Sequence, residues 1–242
     1  MDVEKIQGEE GKMKRLLHLA IGFALIVSSA FAEEGFKGRP ITNNVWMATG
    51  YTLNKGEFIV GLGPIEFGIT DNVQVGTNIL LYLFQYYNAN AKISWLKSPT
   101  RAFASGISVG HFDLDVLGVE TSFTSLSPYL AFTRSVGANT NLHLQAQYSY
   151  FSAESDIEDA KAKSTSTGSS VYAGLEYSLS HKTKFLGEGS YDMTFEGFRV
   201  GGGVLFGWEK FRLKLGVSYY HPEGVDGGFT LPIIGLWWRF MG

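Results

Sequence analysis

An all-β chain, closed into an antiparallel up-and-down barrel of about twelve strands, is the fold the sequence predicts. Three observations predict it. The first is strict alternation. In NLHLQAQYSYF (residues 141–151), Leu142, Leu144, Ala146, Tyr148 and Tyr150 fall on one side, while Asn141, His143, Gln145, Gln147 and Ser149 fall on the other. Successive side chains of a strand point to opposite faces, so this is strand periodicity. The second is composition: 30 glycines and 14% aromatic residues suit a β protein, and no stretch beyond residue 32 sustains a helical period. The third is an asymmetry of turns, short at one end of the strands and long at the other.

The elements follow in chain order. Met13 opens MKRLLHLAIGFALIVSSAFAEEG, with Lys14 and Arg15 before an apolar run and Ala30-Phe31-Ala32 after it. Charge, run and small-residue pattern in that order predict a cleaved signal peptide. The run is too short to cross a bilayer of roughly 30 Å as a helix. Residues 1–32 are therefore expected to be leader and signal, with Met13 as the true start. Residues 33–44 would be a periplasmic segment and 45–240 the barrel. The net charge of −3 leaves nothing basic enough for nucleic acid. The absence of cysteine excludes disulfides and thiolate metal sites.

Alternation and turn residues place strands at 45–53, 57–69, 73–85, 89–96, 102–113, 123–135, 141–151, 169–180, 183–191, 198–208, 211–220 and 229–240. Pro64 interrupts the second, where a bulge is expected because proline cannot donate to a ladder. Loss of the first strand would leave an odd number, with ten as the fallback. The short links are Asp71-Asn72, 97–100, 136–140, His181-Lys182 and Glu209-Lys210; the long ones are 86–88, 113–121, 152–168, 192–197 and 221–228. Bacterial outer-membrane barrels have this asymmetry, with the short turns in the periplasm. A soluble sandwich would bury the apolar phase; a membrane barrel turns it to lipid. Tryptophan favours lipid, because Trp46, Trp95, Trp208, Trp237 and Trp238 fall at the short-turn ends. Tyr86, Tyr87, Tyr150, Tyr191, Tyr219 and Tyr220 fall near the other ends, as in paired aromatic girdles.

Two segments carry a resemblance. The chain's end, LPIIGLWWRFMG, resembles the amphipathic last strand that barrel assembly machinery reads, although Met241 and Gly242 extend past the aromatic. LNKGEF…FGITDNVQVGT (residues 53–77) resembles a segment common in uncharacterised, porin-like outer-membrane β-barrel proteins. The resemblance implies a cell outer membrane of the Gram-negative type, with membrane lipid and the assembly machinery as partners. It implies no activity and no cofactor.

In a barrel the polar phase faces the lumen. Glu176, Glu188, Arg199, Arg212, Lys214 and Arg239 lie on it, with His143 among Asn141, Gln145 and Gln147. Acids facing bases in a small interior fit either a salt-bridge filling or a charged constriction that sorts solutes by sign. Ala102, Ala104, Gly106, Ser108 and Gly110 leave room beside that wall, which makes a narrow aqueous path the expectation. No catalytic site is expected: His111 could approach Ser122 or Thr124, but no oxyanion loop accompanies them. The carboxylates Glu154, Asp156, Glu158 and Asp159 lack the glycine and later glutamate of a calcium loop. His221 with Glu223 and Asp226 reads as loop rather than as a metal site, and Gly201-Gly202-Gly203 precedes no helix. The sequence thus predicts a passive channel for small polar solutes. Its alternative is a plugged barrel with a structural, adhesive or assembly role.

Overall fold

A computed structural model describes residues 36, 40–116, 119–157, 160–194, 196–224 and 227–240. The leader and the cleavage pattern lie outside them. Twelve strands among the described residues close into one antiparallel barrel, each paired with its sequence neighbours and β1 with β12. They are β1 (Phe58–Leu62), β2 (Pro64–Thr70), β3 (Val73–Asn78), β4 (Tyr86–Lys97), β5 (Arg101–Val116) and β6 (Val119–Ser135). Then follow β7 (Thr140–Ile157), β8 (Ala160–Ser178), β9 (Thr183–Asp192), β10 (Gly197–Gly207), β11 (Phe211–His221) and β12 (Phe229–Phe240). A six-residue 3-10 helix, Ile79–Phe84, joins β3 to β4. The seam closes with Phe58 opposite Phe240, their rings stacked 4.6 Å apart.

The apolar phase points outward. Leu144 is 54% exposed while its chain neighbour His143 is 1% exposed. The same holds for Leu175 against Glu176, and for Leu215 against Arg212 on β11. A hydrocarbon-facing outside and a polar inside are what the alternation requires of a membrane barrel.

The number of strands matches the expectation, but two of their identities do not. Residues 45–53 form no wall strand. The 57–69 segment is instead two strands, because the chain reverses at Gly63 and pairs Phe58 with Phe67 and Val60 with Ile65. Gly63 has φ +114°, a conformation open only to glycine, and Pro64 beyond it opens β2 opposite Asn78, a first-residue position that proline tolerates. Pro64 thus follows a hairpin turn rather than making a bulge. Residues 73–85 end as strand at Asn78, whose side chain accepts from the Leu80 N–H and starts the helix. The links expected at 113–121 and 152–168 are largely strand: β5 to β8 simply run further.

Candidate functional site: a lumen filled by the N-terminal segment

Residues 40–57 run inside the barrel. The segment rises from the short-turn mouth, turns at Asn44 to Met47 and descends beside itself. Asn43 bridges Ala48, the Asn44 N–H donates to Met47 O, and the Thr49 N–H donates to Thr42 O. Tyr51 OH then reaches Ser98 O, Thr52 Oγ1 reaches Asp71 O, and the chain enters β1. Burial here does not alternate: apart from Asn43, Trp46 and Ala48, every residue from Ile41 to Leu53 is buried within the barrel.

The wall's polar phase holds it. Glu188, about halfway up β9, accepts three backbone N–H groups at the apex: Val45 at 3.0 Å, Trp46 at 2.9 Å and Met47 at 3.0 Å. Successive N–H groups aimed at one point make an anion nest, here filled by a side chain of the same molecule. Lys214 donates to Asn44 O at 2.8 Å and Val45 O at 3.0 Å. Arg239 donates to Pro40 O at 3.1 Å and to Glu57 at 2.9 Å. Arg212 donates to the Trp208 and Phe211 carbonyls and lies over the Phe36 ring, which Lys184 covers as well. Arg199 stacks over Trp46, at the top of the plug, and over Tyr172.

Glu176 has a different role. It pairs with Lys184, lies 3.3 Å from His143 Nε2 and accepts from Asn141 at 3.1 Å. His143 Nδ1 in turn lies 2.9 Å from Thr133 Oγ1. That Thr133 oxygen also accepts the Gly50 N–H at 2.9 Å, so the buried ion pair reaches the plug through one hydroxyl. All seven lumen residues singled out from the sequence do point inward. Glu188, Lys214 and Arg239 grip the backbone of the plug, whereas Arg199 and Arg212 meet its aromatic rings.

Sequence reasoning placed Gln145 among the lumen liners but did not single out Lys92, Gln74 or Glu66 as holders. Lys92 donates to Thr42 O at 2.9 Å, Gln145 accepts the Ala48 N–H at 2.7 Å and Gln74 accepts the Leu53 N–H at 2.9 Å. Glu66 accepts from Asn43 at 3.0 Å and from Gln74 at 2.8 Å. Each lies on the polar phase of its strand, so alternation was a usable signal; what they hold was not visible.

The room expected beside Ala102 to Gly110 is occupied. A Cβ on Gly50 would come 2.4 Å from Ala102 O, so the descending arm presses against β5 where only glycine fits. Higher up, the Tyr129 ring covers Gly106, and Tyr86 OH lies over Gly110 and 3.0 Å from Ser125 Oγ. An apolar seam completes the packing: Phe36, Ile41 and Val45 of the N-terminal segment meet Leu186, Leu205 and Ile233 of the wall. A cavity of about 90 Å³ remains beside the plug, between Ile41, Glu66, Leu205 and Trp237, room for a few waters.

Two tryptophans leave the expected girdle. Trp46 caps the plug, and Trp237 points inward under Lys214. Trp95 and Trp238 remain on the outer surface. Tyr86 and Tyr220 likewise take the inward phase of their strands.

The weaker candidates resolve simply. His111 Nδ1 lies 3.0 Å from Thr124 Oγ1 and Nε2 3.3 Å from Asp113. All three are exposed on the outward phase, where water screens the pair. Glu154 is spent on Lys163 across the β7–β8 ladder, and residues 158–159 lie outside the described residues. Asp226 does too. Glu223 faces Glu196 across two loops, a contact that holds its carboxyl above the usual range.

Among solved structures the chain is similar to the KdgM porin in complex with disordered oligogalacturonate. The TM-score is 0.50 and the identity 10%, covering 76% of this chain and 97% of that one. The fold is that of a porin-like outer-membrane barrel. A further match is Ail, the attachment invasion locus protein of Yersinia pestis, with TM-score 0.32 and 10% identity, covering 76% and 91%. No protein-family model and no curated protein matches the sequence. This porin-like barrel is one whose inward charges lie against its own N-terminal hairpin.

Proposed function

We propose that the protein is an integral barrel of a Gram-negative-type outer membrane, kept closed by its N-terminal segment. It works through the surface it presents outside the cell, not through steady diffusion of solutes. The observation that carries this reading is the Glu188 nest. A carboxylate placed to select ions would leave its oxygens free for them, whereas those of Glu188 are taken up by Val45, Trp46 and Met47. Burial of Phe36, Ile41, Val45, Met47 and Leu53 adds apolar stabilisation, roughly 1.5–3 kcal/mol for each large side chain. A segment so held is part of the fold. Insertion would use the assembly machinery, as the amphipathic last strand supports.

A second reading is a channel for small polar solutes that opens when the plug leaves. The polar lumen phase and the likeness to a porin favour it. Planar-bilayer recordings of the refolded whole chain separate the two. The expected result is no steady conductance step in the unaltered protein, and steps in Glu188→Ala. Steady steps in the unaltered protein would give the second reading.

A further inference from the structure

The wall of this barrel is uneven. β1, β2 and β3 have 5, 7 and 6 residues, whereas β5 to β8 have 16 to 19. At about 3.3 Å per residue and a tilt near 40°, the short strands rise roughly 13–18 Å, against an apolar band about 25 Å tall. One sector of the barrel is therefore too low for the hydrocarbon it stands in.

The 3-10 helix sits directly on that sector. Its sequence, ILLYLF, carries no charge, and none of its six side chains is buried; Leu83 is 78% and Phe84 76% exposed. It is also firmly fixed. Tyr82 OH lies 2.7 Å from Thr77 Oγ1 and donates to Asn88 O at 3.1 Å. Asn88 accepts the Asn78 N–H at 2.8 Å and donates to Asn78 O at 2.9 Å, so its amide continues the β3–β4 pairing where the ladder ends. Gln85, at φ 58°, turns the chain back into β4. A held helix with every apolar side chain exposed faces a solvent that takes them.

Its height points to the membrane. Hydrogen-bonded partners climb the wall on passing from β1 to β5, from Phe58 at the lower end through Phe67, Val75 and Ala91 to Ile107. Asn78, which reaches Gly110 through Asn88, thus lies no higher than Gly110. The outward phase of β5 is still apolar there, at Ile107 and Val109, and turns polar only at His111 and Asp113. The helix starts inside the apolar band and is continuous with Ile65, Phe67 and Leu62 below it.

We propose that Ile79–Phe84 is embedded in the acyl chains of the outer leaflet, where it completes the hydrocarbon-facing band above β1–β3. Its partner is lipid. All six of its residues are apolar or aromatic and exposed, so they add hydrocarbon-compatible surface where β1–β3 fall short. Tyr87, whose ring stands 5.5 Å from that of Tyr82, is itself 55% exposed beside the helix.

The chain has no cysteine, which makes the test direct. Spin labels are placed singly through Leu83→Cys and Phe84→Cys in the whole protein in liposomes. Leu144→Cys serves as the wall reference and Lys163→Cys as the aqueous one. Collision with oxygen and with a water-soluble nickel chelate is read at each. Labels at 83 and 84 are expected to match 144, with an oxygen-to-nickel ratio several-fold above that at 163. A ratio at 83 and 84 equal to that at 163 overturns the proposal, since the helix would then face water or a soluble partner. An aqueous ratio at 144 as well would overturn the membrane reading itself.

Discussion

The lower and upper parts of this barrel are stabilised in different ways. Below, a wall of twelve strands surrounds a hairpin, and stability comes from side chains: Glu188, Lys214, Lys92 and Arg239 on backbone groups, with Phe36, Ile41 and Val45 against Leu186 and Leu205. Above, β9 stops opposite Ser170, while β7 continues to Ile157 and β8 back to Ala160. This projecting sector has no plug and few large side chains beyond one aromatic row. Tyr86, Phe112, Phe123 and Phe151 follow each other at 6.1, 5.2 and 5.8 Å across β4 to β7. Past that row the inward phase of β7 and β8 runs through Ala153, Ser155, Ala162 and Ser164, and the outward phase is polar, as at Glu154 and Lys163. A ladder already anchored in a barrel can run on without a core, because each added residue pairs with a neighbouring strand. A buried hairpin cannot, because its backbone groups must find partners from the wall.

The comparison can be broken most strongly at Glu188. Glu188→Ala leaves three buried N–H groups without their charged acceptor, a loss of about 3 kcal/mol or more. The docked plug should loosen by roughly 100-fold. Val45→Cys reports it: the thiol should react with a membrane-impermeant maleimide far faster beside Glu188→Ala than alone, and equal rates would show that the apolar seam suffices. Gly174→Val attacks the same apex by volume, since a Cβ there would meet Asn44 Nδ2 at 2.4 Å and Met47 Sδ at 2.8 Å. The same thiol assay should show a displaced apex on an intact barrel.

Above, Phe123→Ala removes the middle of the aromatic row, at a cost of about 1 kcal/mol. Proteolysis of the projecting β5–β8 hairpins should quicken while Val45→Cys reactivity stays unchanged. A change in both would mean that the two parts are coupled. Arg199→Ala, which joins wall to plug only through its contact with Trp46, should cost about 0.5–1 kcal/mol. Reactivity at Val45→Cys would then rise only a few-fold.

The smallest effect lies in the loops. The hydrogen bond that protonated Glu223 donates to the Glu196 carboxylate, and then the Glu196 charge, raise the Glu223 carboxyl above its ordinary value. The folded loops therefore hold a proton that unfolded loops have already lost. Their contact is strongest below the ordinary carboxyl range and is lost as pH rises through the raised value. Exchange protection of the β9–β10 and β11–β12 loops, corrected for the intrinsic pH dependence of amide exchange, should be greater in mild acid than at neutral pH. Glu196→Gln should remove that dependence.

Much of this was legible in the sequence, unevenly. Wherever alternation was unbroken, as in β7 and β11, both strand and facing were readable, because a period of two admits one assignment once the outside is known. Alternation also put Glu176, Glu188, Arg199, Arg212, Lys214 and Arg239 on the inward phase. The errors cluster between residues 45 and 85. A short stretch with Val45, Met47, Tyr51 and Leu53 at odd positions imitates a wall strand, and ILLYLF has no period to betray a 3-10 turn. A spurious strand at 45–53 and an unseen hairpin at Gly63 offset each other, so the total was reached with a wrong member.

By itself, the sequence determined that the chain is all-β, which side of each regular strand is greasy and where the short turns lie, since these depend on neighbours along the chain. Only the tertiary structure decided what fills the lumen and which apolar side chains stand exposed above β1–β3. The Glu188 nest joins residues more than 140 positions apart, and the exposure of Leu83 depends on how low the strands beneath it are. Contacts of that range are fixed by closure of the barrel, which no local pattern encodes.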